Sequence, residues 1–209
     1  MALNYHNVVN GPFMENCFLV WNDASGEGIC IDPGDEPDKI VNTAHKYNIK
    51  ITGIYNTHGH IDHAGAVANL KKQWNVPFAL NKNDEKLINN LTGQAKMFGF
   101  TTDAVSPVID IFLDSNTSFE VGGIKGRVIH TPGHTEGGVC FLIDNLLFAG
   151  DTLFSGSVGR SDLPGGNAAQ LITSIKTKLL KLNDSIIVLC GHGPSTTIGA
   201  ERRHNPFIR

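Results

Sequence analysis

Apolar residues along the chain fall mainly into short runs that end at Gly, Pro, Asn or Asp. Runs of this kind, rich in Val, Ile, Leu and Phe and closed by turn residues, are typical of buried β-strands. The pattern predicts strands at residues 17–21, 28–31, 51–55, 124–129, 139–143, 146–149 and 186–190.

Between these runs, apolar positions recur at the spacing of a helix face. This spacing predicts helices at residues 40–47, 64–74, 83–90, 168–182 and 196–204. Residues 91–117, which include LTG, MFGF, TTD and SP, predict a long covering loop. Because strands and helices are mixed along the whole chain, we expect stacked sheets with helices outside them.

Length and composition are those of an ordinary globular protein. With 209 residues, of which 41% are hydrophobic and 18% charged, the chain has enough apolar surface for a core without disulfides. Length alone allows one large domain or two small ones, and we expect a single domain over residues 1–209. The four cysteines form no C-x-x-C pair and lie in or beside apolar runs, which favours buried, reduced thiols.

Charge and hydropathy narrow the class of partner and leave the oligomeric state open. The net charge of −3 provides no basic surface for nucleic acid, so the predicted partner is a small molecule. No segment approaches the roughly 18 consecutive apolar residues of a membrane span, so we expect no membrane partner. The first residues lack the basic and then apolar order of a secretory signal, which predicts a cytoplasmic protein.

The densest chemistry lies in NTHGHIDHAG, residues 56–65, between a predicted strand and a predicted helix. His58 and His60 are two residues apart, and on extended chain such side chains point the same way, about 6 to 7 Å apart. Both can therefore reach one zinc-type ion at about 2.1 Å. Asp62 and His63 point elsewhere as the chain turns into the helix, which suggests a second ion nearby.

Chance is a poor explanation for four ligand-type residues within six positions, so the stretch predicts a metal function. A single histidine near a turn is often only a cap or a surface residue. That interpretation applies to four other histidines, His6, His45, His130 and His204.

Three further ligand-type residues stand at other predicted strand ends, each after a glycine that lets the backbone turn sharply. They are His134 in HTPGHTEGG, Asp151 in AGDTLF and His192 in CGHGPS. We expect the strand ends to bring these side chains to one rim of the sheets. Cys190 lies inside an apolar strand and is interpreted as a buried bystander. Asp32 in CIDPGD is interpreted as a carboxylate that supports a ligand rather than binding the ion.

Taken in order, these motifs resemble those of the metallo-β-lactamase superfamily. The resemblance implies an α+β fold, a four-layer αββα sandwich in which helices flank two mixed β-sheets, with a two-metal site. It further implies that the first ion is bound by His58, His60 and His134. The second ion would be bound by Asp62, His63 and His192, with Asp151 bridging the two. Zinc is the expected metal, and iron or manganese also suits histidine and carboxylate ligands.

The complete ligand set with GDTLF is similar to the glyoxalase II branch, the hydroxyacylglutathione hydrolases. The ending GHGPSTTIGAERRHNPF resembles short bacterial members of that branch. The resemblance implies hydrolysis of an S-lactoylglutathione-type thioester, or of a related small-thiol thioester, by a hydroxide held between the two ions. Asp62 is the predicted catalytic residue, because its carboxylate can orient that hydroxide.

Two departures concern the thiol part of the substrate. Classical glyoxalase II has a C-terminal helical extension with glutathione-binding basic residues, and we expect it to be missing here. In SGSVGRSDLPGG, Arg160 and Asp162 stand where the family has a Lys and a Tyr that touch glutathione. Arg160 either binds a substrate carboxylate or structures its own Gly-rich loop.

Three alternatives remain open. A persulfide dioxygenase, a relative of glyoxalase II, uses one iron at the first site, and the complete second ligand set argues against it. A nuclease of the superfamily would have a long inserted domain and a basic surface, and neither is visible here. A non-enzymatic, metal-stabilised binding module would be expected to have a closed, cysteine-rich site.

Overall fold

Two six-stranded β-sheets carry the fold in the computed structural model, which describes residues 2–99 and 104–209. In the first sheet, the spatial order of the strands follows the chain: β1 (Leu3–Asn10), β2 (Glu15–Asn22), β3 (Glu27–Ile31), β4 (Lys50–Tyr55), β5 (Phe78–Leu80) and β6 (Ile111–Phe112). The first three strands pair antiparallel, and β3 to β6 pair parallel.

The second sheet comes from the second half of the chain. Its strands are β7 (Ser118–Val121), β8 (Ile124–His130), β9 (Val139–Ile143), β10 (Leu146–Gly150), β13 (Ile187–Cys190) and β14 (Thr196–Thr197), in the spatial order β14-β13-β10-β9-β8-β7. Only the β10–β13 pair is parallel. A separate two-stranded ribbon follows β10 in the chain and consists of β11 (Leu153–Phe154) and β12 (Ser157–Val158).

The α-helices of the described ranges are α1 (Pro37–Lys46), α2 (Ile61–Ala64), α3 (Val67–Trp74), α4 (Glu85–Ile88), α5 (Leu91–Met97), α6 (Ala168–Lys178) and α7 (Ile198–His204). Short 3₁₀ turns lie at Lys82–Asp84 and Leu179–Lys181. None of these helices combines the length and the apolar character that a membrane crossing requires.

Alternation along the strands divides the core into three apolar layers, because successive side chains point to opposite faces of a sheet. In β2, Phe18 points to the layer between the sheets, where its ring meets Phe148 of β10 edge-on at 5.3 Å. Leu19 points the other way, into the layer with α1 and α3. Leu147 of β10 contributes to the third layer, against α6 and α7. The result is helix, sheet, sheet, helix, which confirms the predicted fold class.

Every predicted strand is present, but the structure corrects the helices. The predicted helix 64–74 is two helices, α2 and α3, and α2 already contains Asp62 and His63. The predicted helix 83–90 is a 3₁₀ turn followed by the single turn of α4. The predicted helix 168–182 leaves α-helical geometry after Lys178, and the first two residues of 196–204 form β14.

The prediction of a loop over residues 91–117 is wrong. The segment contains α5 and β6, and its residues 100–103 lie outside the described part of the chain. Helix α5 forms although it contains Gly93, because Leu91 and Ala95 are buried on its inner face. Tertiary burial here outweighs the weak helix propensity of the local sequence.

Candidate metal centre

Four strand ends of the two sheets meet at one end of the sandwich. The segments that follow β4, β8, β10 and β13 carry the seven predicted ligand residues, which are His58, His60, Asp62, His63, His134, Asp151 and His192. All seven come together there, in two groups of three with Asp151 between them. The expected convergence at one rim is therefore what the fold produces.

Two of the glycines before these residues are required by the backbone. Gly133 has φ +138° and Gly150 has φ +47°, conformations that residues with a Cβ rarely adopt. A Cβ at Gly133 would collide with the backbone of Leu171, and one at Gly150 would collide with the Thr57 side chain. A larger residue at either position would displace the ligand residue that follows.

The first group consists of His58, His60 and His134, which are only 2%, 8% and 3% exposed. His134 Nε2 lies 3.2 Å from His58 Nε2 and 2.9 Å from His60 Nδ1. Three ring nitrogens thus converge in a space closed to solvent.

Hydrogen bonds on the far sides of these rings fix which nitrogen faces the centre. His134 Nδ1 lies 2.7 Å from the Arg160 carbonyl oxygen, which can only accept, so Nδ1 carries the proton. His58 Nδ1 lies 3.0 Å from Thr57 Oγ1, and the Thr57 hydroxyl itself donates to Asp32 at 2.6 Å. His58 Nδ1 is therefore also a donor. Two Nε2 lone pairs then face each other, an arrangement that a cation between them stabilises.

The second group consists of Asp62, His63 and His192. His192 Nε2 lies 3.4 Å from Asp62 Oδ2 and 3.3 Å from His63 Nε2. His192 Nδ1 donates to the carbonyl of Phe13 at 3.0 Å, and His63 Nδ1 lies 3.2 Å from Asp32 Oδ2. Like the rings of His58 and His134 in the first group, each of these two rings is held from behind with one nitrogen directed inward.

Asp151 lies between the groups. Its Oδ1 is 3.3 Å from His63 Nε2 and 3.7 Å from His192 Nε2, while its Oδ2 is 3.6 Å from His134 Nε2. Oδ1 is buried and accepts no hydrogen bond. A buried carboxylate oxygen that makes no hydrogen bond needs a positive charge beside it, which either a protonated His63 or a metal cation supplies, so this atom fits a bridging metal ligand.

Protonation in the first group also suits metal binding. Burial lowers the pKa of His58 well below its usual value and that of His60 to about 3, so both rings are neutral at pH 7. Burial alone would raise the pKa of Asp151, but the neighbouring His63 and His134 hold it well below its usual range. Neutral imidazole and ionised carboxylate are the forms that bind metal.

His63 behaves differently. Burial lowers its pKa, but the carboxylates of Asp151 and Asp62 outweigh burial and raise the pKa well above its usual value. A proton on His63 balances these two negative charges, and a divalent cation can take over that role.

Asp32 lies behind the ligand residues, as expected for a supporting carboxylate. It is buried, and it accepts from the Thr57 backbone N–H at 2.6 Å as well as from the Thr57 hydroxyl. Although it lies close enough to His58 and His63 to form a third possible group with them, its oxygens are already engaged by Thr57 and His63.

The Arg160 side chain is exposed and bonded within its own loop. Its Nε and Nη2 each lie 2.8 Å from an oxygen of Asp162, and its backbone carbonyl accepts from His134. These contacts favour the loop-structuring interpretation, and a role in substrate binding stays a prediction. Cys190 is buried among apolar residues and belongs to none of the possible ligand groups found in the described ranges.

Two residues that hold the ligand segments in place were not predicted from the sequence. Asn16 Nδ2 donates to the carbonyls of Cys190 and Gly193, on either side of His192, at 2.9 and 3.0 Å. Asp84 accepts hydrogen bonds from two different ligand segments. Neither residue stands in a local motif, because its partners are far away in the chain.

Comparisons with known proteins show which family the chain resembles. Residues 10–192 match the family model described as the metallo-beta-lactamase superfamily. Hydroxyacylglutathione hydrolase GloC of Haemophilus influenzae is 40% identical over 205 residues, which cover 94% of this chain and 93% of that protein.

Two solved structures are similar over almost their whole length. The B3 metallo-beta-lactamase BLEG-1 has a TM-score of 0.91 and 33% identity, covering 98% of this chain and 99% of its own. TTHA1623, in a di-iron-bound form, has a TM-score of 0.87 and 37% identity, and the match covers 97% of this chain and 99% of TTHA1623. The first is described as a lactamase and the second as holding two irons.

Proposed function

The chain belongs to the metallo-beta-lactamase superfamily, and we propose that it is a two-metal hydrolase of thioesters. The substrate would be of the hydroxyacylglutathione type or a related small-thiol thioester. The observation that carries the proposal is the buried Asp151 carboxylate, which lies between two possible ligand groups and makes no hydrogen bond through Oδ1. The likeness to GloC over nearly the whole chain supports the thioester substrate.

The residues of this chain fit two divalent cations. His58, His60 and His134 would hold the first ion, Asp62, His63 and His192 the second, and Asp151 would contact both. When bound, such a pair would supply Lewis acidity and would lower the pKa of a water molecule in the site to about 7. Zinc remains the proposed metal, and the di-iron form of TTHA1623 makes iron the alternative to test.

Asp62 is the proposed catalytic residue. Its side chain is 20% exposed, against 13% for Asp151, so it is the carboxylate that an incoming water or substrate reaches most easily. Asp62 Oδ2 lies 3.4 Å from His192 Nε2, and this contact holds the carboxylate in place to accept a hydrogen bond from the water. Its role is to orient the attacking water toward the thioester carbonyl.

All four cysteines are buried, and the thiols of Cys140 and Cys190 are in addition unsuited to act as nucleophiles. Burial raises the pKa of Cys140 to about 11 and that of Cys190 to about 12, so both are protonated at neutral pH. The leaving group needs little help, because a free thiol has a pKa of about 8.5 and departs readily as thiolate. A protein nucleophile is therefore not needed, and water oriented by Asp62 is the proposed nucleophile.

The test combines elemental analysis of the purified protein with a thioester panel that includes S-lactoylglutathione. We expect two metal ions per chain and thioester hydrolysis. Asp62→Asn should lower kcat/KM by at least about 100-fold while the protein stays folded. Asp38→Asn is a matched control, because Asp38 also stands in the first turn of a helix but is exposed and outside the site.

Two other activities, persulfide oxidation and β-lactam hydrolysis, are alternative outcomes of this test. One iron per chain together with oxygen uptake on glutathione persulfide would replace the hydrolase by a dioxygenase. A β-lactam belongs in the panel because of the likeness to BLEG-1. Cleavage of a β-lactam without any thioester would overturn the proposed substrate and leave the two-metal site in place.

A further inference from the structure

Asp84 is a buried carboxylate that lies outside both ligand groups. It ends the 3₁₀ turn Lys82–Asp84 and is 1% exposed. It accepts three hydrogen bonds, from the Gly59 backbone N–H at 3.0 Å, the Thr135 hydroxyl at 2.7 Å and the Gly137 backbone N–H at 2.7 Å.

These three donors belong to the two segments that carry the first ligand group. Gly59 stands between His58 and His60, and Thr135 directly follows His134. One carboxylate thus joins the segment after β4 to the segment after β8. Through these hydrogen bonds it holds the backbone beside all three histidines of the first group.

Close packing around Asp84 leaves little freedom in this link. A Cβ at Gly137 would lie 2.7 Å from Asp84 Cγ, and one at Gly59 would lie 3.2 Å from Asp84 Cβ. Burial raises the pKa of Asp84, while Thr135 and the two backbone amides oppose that rise. Because all three partners donate, the ionised carboxylate is the form that satisfies them together.

We propose that Asp84 is a positioning residue: it fixes the separation of the two segments and thereby sets the metal affinity of the first ligand group. The inference rests on the metal-ligand assignment of the proposed function. Groups that orient metal ligands are typically worth about 10- to 100-fold in affinity, and we expect a loss of that size when Asp84 is removed. The second group should be spared, because Asp84 makes no hydrogen bond to α2 or to the segment after β13 among the described contacts.

The experiment measures Zn²⁺ affinity by competition with a chromophoric chelator in two backgrounds. His192→Ala weakens the second group, so that binding to the first group is measured. His134→Ala weakens the first group, so that binding to the second group is measured. Asp84→Ala should weaken binding about 10- to 100-fold in the first background and leave it unchanged in the second. Asp84→Asn keeps the shape but exchanges one acceptor oxygen for a donor, and it should weaken the first group about 10-fold or more.

Glu201→Gln is the matched control for loss of a buried carboxylate. Glu201 is 3% exposed and also accepts three hydrogen bonds, from Thr196, Gly156 and Asn205, none of which adjoins a ligand residue. Both Glu201→Gln and Asp84→Ala should lower the thermal midpoint of the metal-free protein, but Glu201→Gln should not weaken Zn²⁺ binding in the His192→Ala background.

Several outcomes would overturn the inference. One is a folded Asp84→Ala variant that binds Zn²⁺ as tightly as the protein with intact Asp84. Another is a loss of Zn²⁺ affinity that is equal in the His192→Ala and His134→Ala backgrounds. The third is a Glu201→Gln variant that loses as much Zn²⁺ affinity as Asp84→Ala. If circular dichroism shows that Asp84→Ala does not fold, Asp84→Asn decides by the same criteria.

The assay needs no substrate, so the two proposals can fail separately. If His192→Ala with intact Asp84 binds Zn²⁺ but the wild type hydrolyses no thioester, only the proposed function falls. If that variant binds no Zn²⁺, the ligand assignment is wrong and both proposals fall.

Discussion

The two ligand groups differ in how they meet solvent. In the first, the three histidines are buried, and Asp84 ties their two segments together. In the second, the His192 side chain is 26% exposed, that of Asp62 is 20% exposed, and His192 is held through the carbonyl of Phe13 in the β1–β2 turn. One group is enclosed by the sandwich, and the other opens at its rim.

This contrast assigns different tasks to the two halves of the site. Catalytic metal sites keep a position open to water or substrate, whereas enclosed ligand sets hold their ion firmly. We therefore expect the first group to retain its ion and the second group to be the side on which water, substrate and metal exchange.

The largest effect is expected where the two groups join. Asp151→Ala removes a carboxylate whose two oxygens lie 3.3 Å from His63 Nε2 and 3.6 Å from His134 Nε2, so both groups should bind metal more weakly and thioester hydrolysis should fall by more than about 100-fold. Elemental analysis and initial rates measure the two effects. Asp144→Asn, an exposed change at the other end of β10, should alter neither. Two retained ions with normal activity in Asp151→Ala would show that the groups are independent.

Metal removal should proceed in two steps. During dialysis of the wild type against a chelator, the ion of the open second group should leave first, and activity should disappear with it. His192→Ala should lack the fast step, because its second group is already weakened. A single phase that removes both ions together would contradict the difference between the groups.

A smaller and selective effect is expected from Asn16→Ala. Its side chain ties β2 to the carbonyls on either side of His192, so its loss should weaken only the second group, by about 10-fold. The competition assay in the His134→Ala background measures this. Asn22→Ala is the control, because Asn22 is also a buried asparagine of β2 and donates to a backbone carbonyl, that of Gly122, at the opposite end of the strand from Asn16. Equal losses in the two variants would mean a general effect of destabilisation.

The smallest effect is expected far from both groups. Asp110 accepts from the Phe78 backbone N–H at 2.7 Å and pairs with Lys71 at 2.6 Å. Burial raises its pKa, but these partners outweigh burial and lower it, so Asp110 stabilises the fold above its unfolded pKa of about 3.9. Asp110→Asn should reduce the free energy of unfolding by at most about 1 kcal/mol at pH 7, without changing metal affinity.

Denaturant unfolding at several pH values checks this last prediction. Because the folded-state pKa of Asp110 is depressed, the difference between wild type and Asp110→Asn should shrink as the pH falls through that pKa. A difference that stays constant down to the acid limit would show that the ion pair is not its cause.

The sequence was informative where a local pattern reflects burial or chemistry. Apolar runs located the central strands, and the motifs at residues 56–65 and at three other strand ends located the residues that the fold brings together in two possible ligand groups. That these residues bind metal stays a prediction. The strands β5 and β6, with three and two residues, are too short to show alternation. Edge strand β1, LNYHNVVN, carries polar residues on its partly exposed face and shows no continuous apolar run.

The residues that hold the ligand segments in place could not be predicted in this way. Asp84 binds Gly59 across 25 positions and Thr135 across 51, and Asn16 binds Cys190 across 174. Such contacts form only when the sheets stack, so no local spacing in the sequence predicts them. The difference between an enclosed and an open ligand group has the same origin.

The most direct test of the central claim is a titration of the metal-free protein with Zn²⁺ while thioester hydrolysis is followed. The first equivalent should fill the enclosed group with little activity, and the rate should then rise to a break at two equivalents per chain. Full activity at one equivalent, or activity that requires a single iron and consumes oxygen, would contradict a two-metal hydrolase.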